Sequence, residues 1–165
     1  MSLKASFAPI VSPDARILIL GSLPGDASLA QGHYYAHPRN AFWPIISEIL
    51  QIDLCNLAYE HRYAMLRAQQ IALWDVIQIA SRSGSLDSAI SNIQANPLTE
   101  LTLRLTQLEL VVFNGKLAAK HGKKQIPGYI QQAIAPSTSP AYTISISDKK
   151  TAWQNIFNAF MLRQA

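Results

Sequence analysis

Cysteine is nearly absent from this chain: Cys55 is the only one in 165 residues. A single thiol excludes an intramolecular disulfide, a CxxC redox pair and any four-cysteine iron–sulfur or zinc site. Charge is sparse as well, at 15% of residues against 49% hydrophobic, a balance that excludes an intrinsically disordered chain. No apolar run approaches the ~20 residues of a membrane-spanning helix. No charged-then-apolar leader opens the sequence, so a cytoplasmic location is expected. The glycine signatures of nucleotide sites, GxxxxGK[ST] and GxGxxG, are both missing. So is HExxH. His33 and His37 stand four apart, but Gly32 and Pro38 break the helix that would align them, and no metal site or other cofactor is expected.

What is present suits one folded domain over residues 1–165, large enough to hold a core without staples. The initial Met-Ser-Leu carries no reading. The net charge of +4 is unevenly placed. Residues 1–110 hold seven basic and nine acidic side chains, whereas residues 111–165 hold seven basic side chains and only Asp148 against them. The basic excess therefore lies in the last third, as it would along a polyanion-facing edge, although scattered solvated lysines give the same count.

Short apolar runs alternate with helical segments. Residues 16–21 (RILILG), 71–77 (IALWDVI), 110–113 and 131–135 read as strands, the first as a fully buried one. Helices are expected over 41–50 with Asn40 as N-cap, over 57–70, from Asn96–Pro97 onward, over 116–123, and at the carboxyl end behind a Ser147 cap. In that last helix Trp153, Ile156, Phe157, Phe160 and Met161 recur on one face and predict core packing. Residues 22–39 and 79–91 read mostly as loop. The order predicts an α/β fold: a three-layer α/β/α sandwich on a short, mainly parallel four-stranded sheet. Ligands of such sheets bind beyond the carboxyl ends of the strands. Three loops then become candidates: residues 21–40, 114–116 and 136–142.

Those loops hold the unusual chemistry. Gly21, Pro24 and Gly25 suit a tight turn whose N–H groups face an anion or a polarised carbonyl. Tyr34 and Tyr35 offer faces for a base to stack on, or pack beneath the loop. Asn114 ends a buried strand with an amide able to read a base edge, or serves as the turn residue of an Asn-Gly pair. In APSTSPAY, Ser137, Thr138 and Ser139 supply hydroxyls suited to phosphate oxygens, with Pro140 beside them and Lys149 and Lys150 opening the next helix. A serine hydrolase using Ser22 or Ser137 with His121 or His37 would need an oriented acid, and no GxSxG block is present. A silent nucleic-acid-binding module would look much the same as an enzyme.

LGSLPG, then YYAHPRNAFW, then a strand ending in NGK, then PSTSPA resembles the uracil-DNA glycosylase superfamily, in that order and over about residues 16–160. Within it the chain is most similar to the hypoxanthine-DNA (deoxyinosine) glycosylases, whose pattern LWDVI followed by GSLDS also resembles. Mismatch-specific thymine/uracil glycosylases are similar through the PG and HPxNxFW segments. The resemblance implies a monofunctional DNA glycosylase of base excision repair, acting on DNA with a deaminated or mismatched base, most simply hypoxanthine, with uracil or xanthine as alternatives. It implies Asn40 as the catalytic residue, binding the base or holding the water. It also implies Ser22, Leu23, Pro24, Gly25, Tyr35 and Asn114 around the base, and Ser137, Thr138, Ser139, Pro140, Lys149 and Lys150 along the DNA. Residues 140–142 are expected to wedge into the stack, and Asp75 and Ser85 to shape the pocket. Two positions depart from the uracil enzymes: Leu23 stands where an acid or amide usually positions water, and Ala135 where a histidine usually supports the leaving base. The single cysteine sets aside the iron–sulfur branches, and a monomer is expected.

Overall fold

In the computed structural model the described residues are 2–82 and 90–164. Four strands form the central sheet: β2 (Ile17–Gly21), β3 (Ile71–Asp75), β6 (Leu110–Asn114) and β7 (Gln131–Ala135). Their order is β3-β2-β6-β7 and every pairing is parallel. Alternation along β2 sends Ile17 and Ile19 to one face and Leu18 and Leu20 to the other, so both faces must be covered.

Helices α2 (Phe42–Leu50), α3 (Tyr59–Ala68) and α6 (Ile146–Gln164) cover the first face, with Phe42, Ile46, Leu66, Trp153 and Phe157 in one cluster. Helices α4 (Leu98–Arg104) and α5 (Lys116–Gly122) cover the second through Leu98, Leu101, Ala118 and Ala119. Each large apolar side chain buried this way contributes roughly 1.5–3 kcal/mol. The three-layer α/β/α reading and its four strands stand.

The register matters most for the site. Gly21 lies opposite Asp75, and Asn114 opposite Ala135. One edge of the sheet thus gathers the ends of all four strands.

Several local expectations need correction. Residues 2–5, given no reading from sequence, form strand β1 (Ser2–Ala5). Residues 79–91, expected as loop, include parts of β4 (Ile77–Arg82) and β5 (Ile90–Ala95), and these three strands make a second, antiparallel sheet in the order β1-β4-β5. The chain crosses between the two sheets at Val76, whose N–H donates to Gly21 O (2.8 Å). The GSLDS motif with Ser85 lies outside the described residues.

The 22–39 loop contains a six-residue helix, α1 (Asp26–Gln31), closed by Gly32 at φ 72°. Asn96 does not cap α4: its amide donates to Asp75 O (2.7 Å) and Ser6 Oγ (3.0 Å), tying the two sheets together. Ser145, not Ser147, caps α6, accepting from Asp148 N (3.1 Å). Met161 faces solvent, as does Leu162 beside it in the final turn of α6. Ala41 is the residue half inside α2, but Asn40 Oδ1 accepts from Phe42 N (2.9 Å), so the expected side-chain cap is made one position earlier than the standard geometry.

Candidate active site

The three loops chosen from sequence converge on one cavity of about 350 Å³ beyond the carboxyl edge of the parallel sheet. Its lining includes Gly21, Ser22, Leu23, Pro24 and Gly25 from the first loop, Tyr34, Tyr35, His37, Arg39 and Asn40 before α2, Asn114 from β6, and residues 137–141. Asp75 and Arg82 complete it from β3 and β4. The volume falls at the small end of ligand pockets, suited to one flat heterocycle rather than a long substrate.

The first loop is held from below. Leu23 packs with Ile77 and Ala80 against the second sheet. The Arg82 guanidinium, buried, donates to Pro24 O. Lys4 of β1 pairs with Asp26 at the start of α1. The turn is therefore fixed by the small antiparallel sheet, which explains why β1, β4 and β5 belong to the site's architecture. Further on, Ser28 Oγ accepts from Ala36 N (3.0 Å), and Tyr34 is pinned by its hydroxyl to Ala8 O (2.9 Å) and by its N–H to Tyr63 (2.9 Å). Of the two tyrosines, Tyr34 is the one packed beneath. The Tyr35 ring stacks on Phe42, with centroids 4.1 Å apart and planes at 27°. Its backbone adopts φ 53°, an uncommon conformation for a tyrosine, which turns its hydroxyl toward Gly21.

The third loop is tied at four points. Thr138 N donates to Asn114 Oδ1 (2.9 Å) and Asn114 Nδ2 to Thr138 Oγ1 (3.0 Å). Ala41 N donates to Thr138 O (3.0 Å). Trp153 Nε1 donates to Pro136 O and Lys149 Nζ to Ser139 O, each at 2.9 Å. Lys149 and Trp153 stand four residues apart on α6, hence on one face. Gly115 has φ 102°, and a Cβ there would lie 3.2 Å from Ser137 Cβ, so the close approach of loop and strand end requires glycine.

This network changes what several predicted residues present. Thr138 and Lys149 were expected to face phosphates; the structure turns both inward, where they bond Asn114 and Ser139. Burial lowers the Lys149 pKa. Lys150 stays at the surface, 2.7 Å from Glu48. Ser137, Ser139 and Pro140 line the cavity. Asn114 also lines the cavity, with its amide already bonded both ways to Thr138. Asn40 keeps its place at the rim, with its carbonyl engaged by Phe42, so what it offers the cavity is chiefly the Nδ2 donor. His37 Nδ1 accepts from Arg39 N and Ser137 Oγ from Ser139 N, and His121 is not among the cavity residues, an arrangement that gives no support to a serine hydrolase.

Two residues carry more of the site than sequence reasoning assigned. Among the described residues Asp75 is the one carboxylate of the lining, and burial raises its pKa to about 7 against the opposing charge of Arg82. Its Oδ2 has no hydrogen-bond partner among the described residues, and neither has the Tyr35 hydroxyl. A Cβ on Gly21 would lie 2.5 Å from Asp75 Oδ1 and 2.9 Å from Tyr35 Oη, so both groups converge where glycine leaves space. Burial and the Asp75 charge both raise the Tyr35 pKa, with the neighbouring Asn114 amide acting the other way. The signal for Asp75 was its place at the end of a strand; Arg82 gave none, since a lone arginine after an alternating segment reads as exposed.

A family model described as the uracil DNA glycosylase superfamily matches residues 8–160. A curated relative from Methanosarcina barkeri (strain Fusaro / DSM 804), named hypoxanthine DNA glycosylase, is 36% identical over 155 residues, covering 93% of this chain and 98% of the relative. A second of the same name, from Methanosarcina acetivorans, is 32% identical over 94% of this chain and 98% of its own. Among solved structures, the solution NMR structure of a chain described as a candidate uracil DNA glycosylase from Methanosarcina acetivorans superimposes with TM-score 0.81 at 30% identity, over 93% of this chain and 98% of that one.

Proposed function

The chain belongs to the uracil DNA glycosylase superfamily, and from that premise we propose that it is a monofunctional DNA glycosylase that extrudes a deaminated base, foremost hypoxanthine, and hydrolyses its bond to deoxyribose in base excision repair. The observation that carries this reading is the convergence of the first, second and third loops on one base-sized cavity at the sheet edge, in a chain over a third identical to a relative named for hypoxanthine.

Extrusion costs a few kcal/mol of stacking and pairing, and least at a mispaired base. The cavity would receive the base beside Tyr35, whose ring is held in place by its stacked partner Phe42. Water then adds to the sugar C1′ as the glycosidic bond breaks, and the base departs with that bond's electron pair and takes up the proton that the water loses. Negative charge thus develops on the base while the sugar becomes cation-like. Asn40, with its carbonyl held by Phe42 N and its amide N–H free to donate, supports that charge in the manner of an oxyanion-hole donor. No strong base at position 23 is then needed. Leu23 instead anchors the turn whose backbone surrounds the leaving base.

Ser137, Ser139 and Pro140 border the cavity where the flanking strand would pass, and Lys150 of α6 adds positive charge at the surface. Thr138 and Lys149 serve that surface indirectly by holding the loop. The enzyme acts as a single-domain monomer in the cytoplasm, without an iron–sulfur cluster or metal.

The test is single-turnover base release from duplexes carrying hypoxanthine, uracil, xanthine or mismatched thymine, with binding followed by anisotropy. Asn40→Ala should slow release by about 10²–10³-fold, the usual effect of removing one such donor, with binding changed only a few-fold. An undiminished rate would remove Asn40 from the mechanism.

A further inference from the structure

Two residues of the cavity lining each carry a buried polar atom with no partner among the described residues, one an acceptor and one a donor: Asp75 Oδ2 and the Tyr35 hydroxyl. They come from different elements, the end of β3 and the segment before α2, whose side chains converge beside Gly21, Asp75 through its Oδ1 and Tyr35 through its hydroxyl. Buried polar groups are almost always paired, and those left unpaired in a native site call for a reason. Asp75 accepts no hydrogen bond at Oδ2 from Arg82, whose guanidinium is instead turned to Pro24 O. The amide that would conventionally read a base edge, Asn114, is bonded both ways to Thr138.

We propose that Asp75 and Tyr35 together read the edge of the extruded base, Asp75 accepting from its ring N–H and Tyr35 donating to the adjacent carbonyl. Deamination creates this edge. It converts a ring nitrogen acceptor beside an amino group, as in adenine and cytosine, into a ring N–H beside a carbonyl, as in hypoxanthine, xanthine and uracil. The pair is complementary to the product of deamination. Toward adenine the ionised Asp75 sets a carboxylate oxygen against the N1 lone pair. A site built around hydrogen bonds rejects an analogue lacking them by as much as about 10⁴–10⁵-fold, because its own buried groups are left unsatisfied. Guanine shares the edge, so Asp75 and Tyr35 separate deaminated bases from adenine and cytosine and leave guanine to the cost of opening its stable pair. Asp75 and Tyr35 are specificity-determining residues in this account, distinct from Asn40, which acts on the leaving charge. The inference rests on the glycosylase reading and names the chemical class that reading accepts.

The test compares wild type, Asp75→Ala and Tyr35→Phe on two duplexes, one with hypoxanthine and one with unsubstituted purine, which has neither the carbonyl nor the ring N–H. Comparing the hypoxanthine-to-purine ratio between proteins cancels the intrinsic reactivity of the two bases, and this coupling is what a merely structural role would not produce. Each variant should lower that ratio at least tenfold, in single-turnover release and in equilibrium binding by anisotropy. Tyr35→Phe keeps the ring stacked on Phe42 and removes only the hydroxyl, so it guards against a folding failure of the alanine variant. Ratios unchanged in both variants overturn the inference. Absence of release by wild type from either duplex overturns the glycosylase reading instead, while the binding ratios still decide whether the pair discriminates.

Discussion

Asp75→Asn should make the protein more stable at alkaline pH, and the size of the effect follows from burial. The carboxyl sits at about 7 instead of the ordinary 3.8 because ionising it within the cavity lining forfeits hydration, and the Arg82 charge only partly offsets that loss. At about 1.4 kcal/mol per pH unit between those values, ionisation costs the folded state on the order of 4 kcal/mol. The sign follows from proton binding. Between about pH 4 and 7 the folded protein holds a proton that the unfolded chain has released, so stability is fully present below about 4 and is lost as pH rises toward 7. Above 7 the loss is complete and constant. The groups facing Asp75 are Arg82, Tyr34 and Tyr35, and the two tyrosines stay neutral throughout this range because burial raises both. Asparagine imitates the protonated carboxyl in shape and does not titrate. In urea unfolding at several values between pH 4 and 8, wild type and variant should nearly coincide at pH 4, and the variant should lead by up to about 4 kcal/mol at pH 8. Two curves running parallel across that range would refute the reasoning, since they would mean that Asp75 ionises as easily folded as unfolded.

Three further outcomes follow from the geometry. Gly115→Ala places a Cβ at φ 102° against Ser137, and should cost about 1–3 kcal/mol in thermal unfolding while reducing base release more than that loss implies. Lys149→Met keeps the buried stem but drops the bond to Ser139 O; DNA binding should weaken with an unchanged slope against log salt, because this lysine faces the loop and not a phosphate. Lys150→Ala should do the reverse, lowering the salt slope by about one and altering stability by less than about 1 kcal/mol, as expected of an exposed pair with Glu48.

Much of the architecture was readable because β2 and β6 are short apolar runs closed by glycine or asparagine, and because a parallel sheet puts its sites at the strand ends. The site loops were legible for that reason and through the HPRN and PSTSP segments. Strands β4 and β5 were not, since Gln78, Ser81 and Arg82 interrupt the apolar alternation and the packing that justifies them lies in the antiparallel partners, including β1. Arg82 is buried where Pro24 O lies within reach, a long-range fact with no local signature. Lys149 reads as a surface cation until the loop carbonyl of Ser139 is placed above it. The side-chain partners of Asn114 were hidden in the same way: its type announced an edge reader, and the fold spends both ends of its amide on Thr138.

The central claim is hydrolytic removal of a deaminated base, and the most direct measurement is release of free hypoxanthine from a duplex containing one deoxyinosine, quantified alongside the integrity of the strand. Free base should appear in step with abasic sites, the strand remaining whole until alkali is added. No free base would contradict that claim, and a strand cut before alkali would point to a lyase lysine such as Lys116 in place of water.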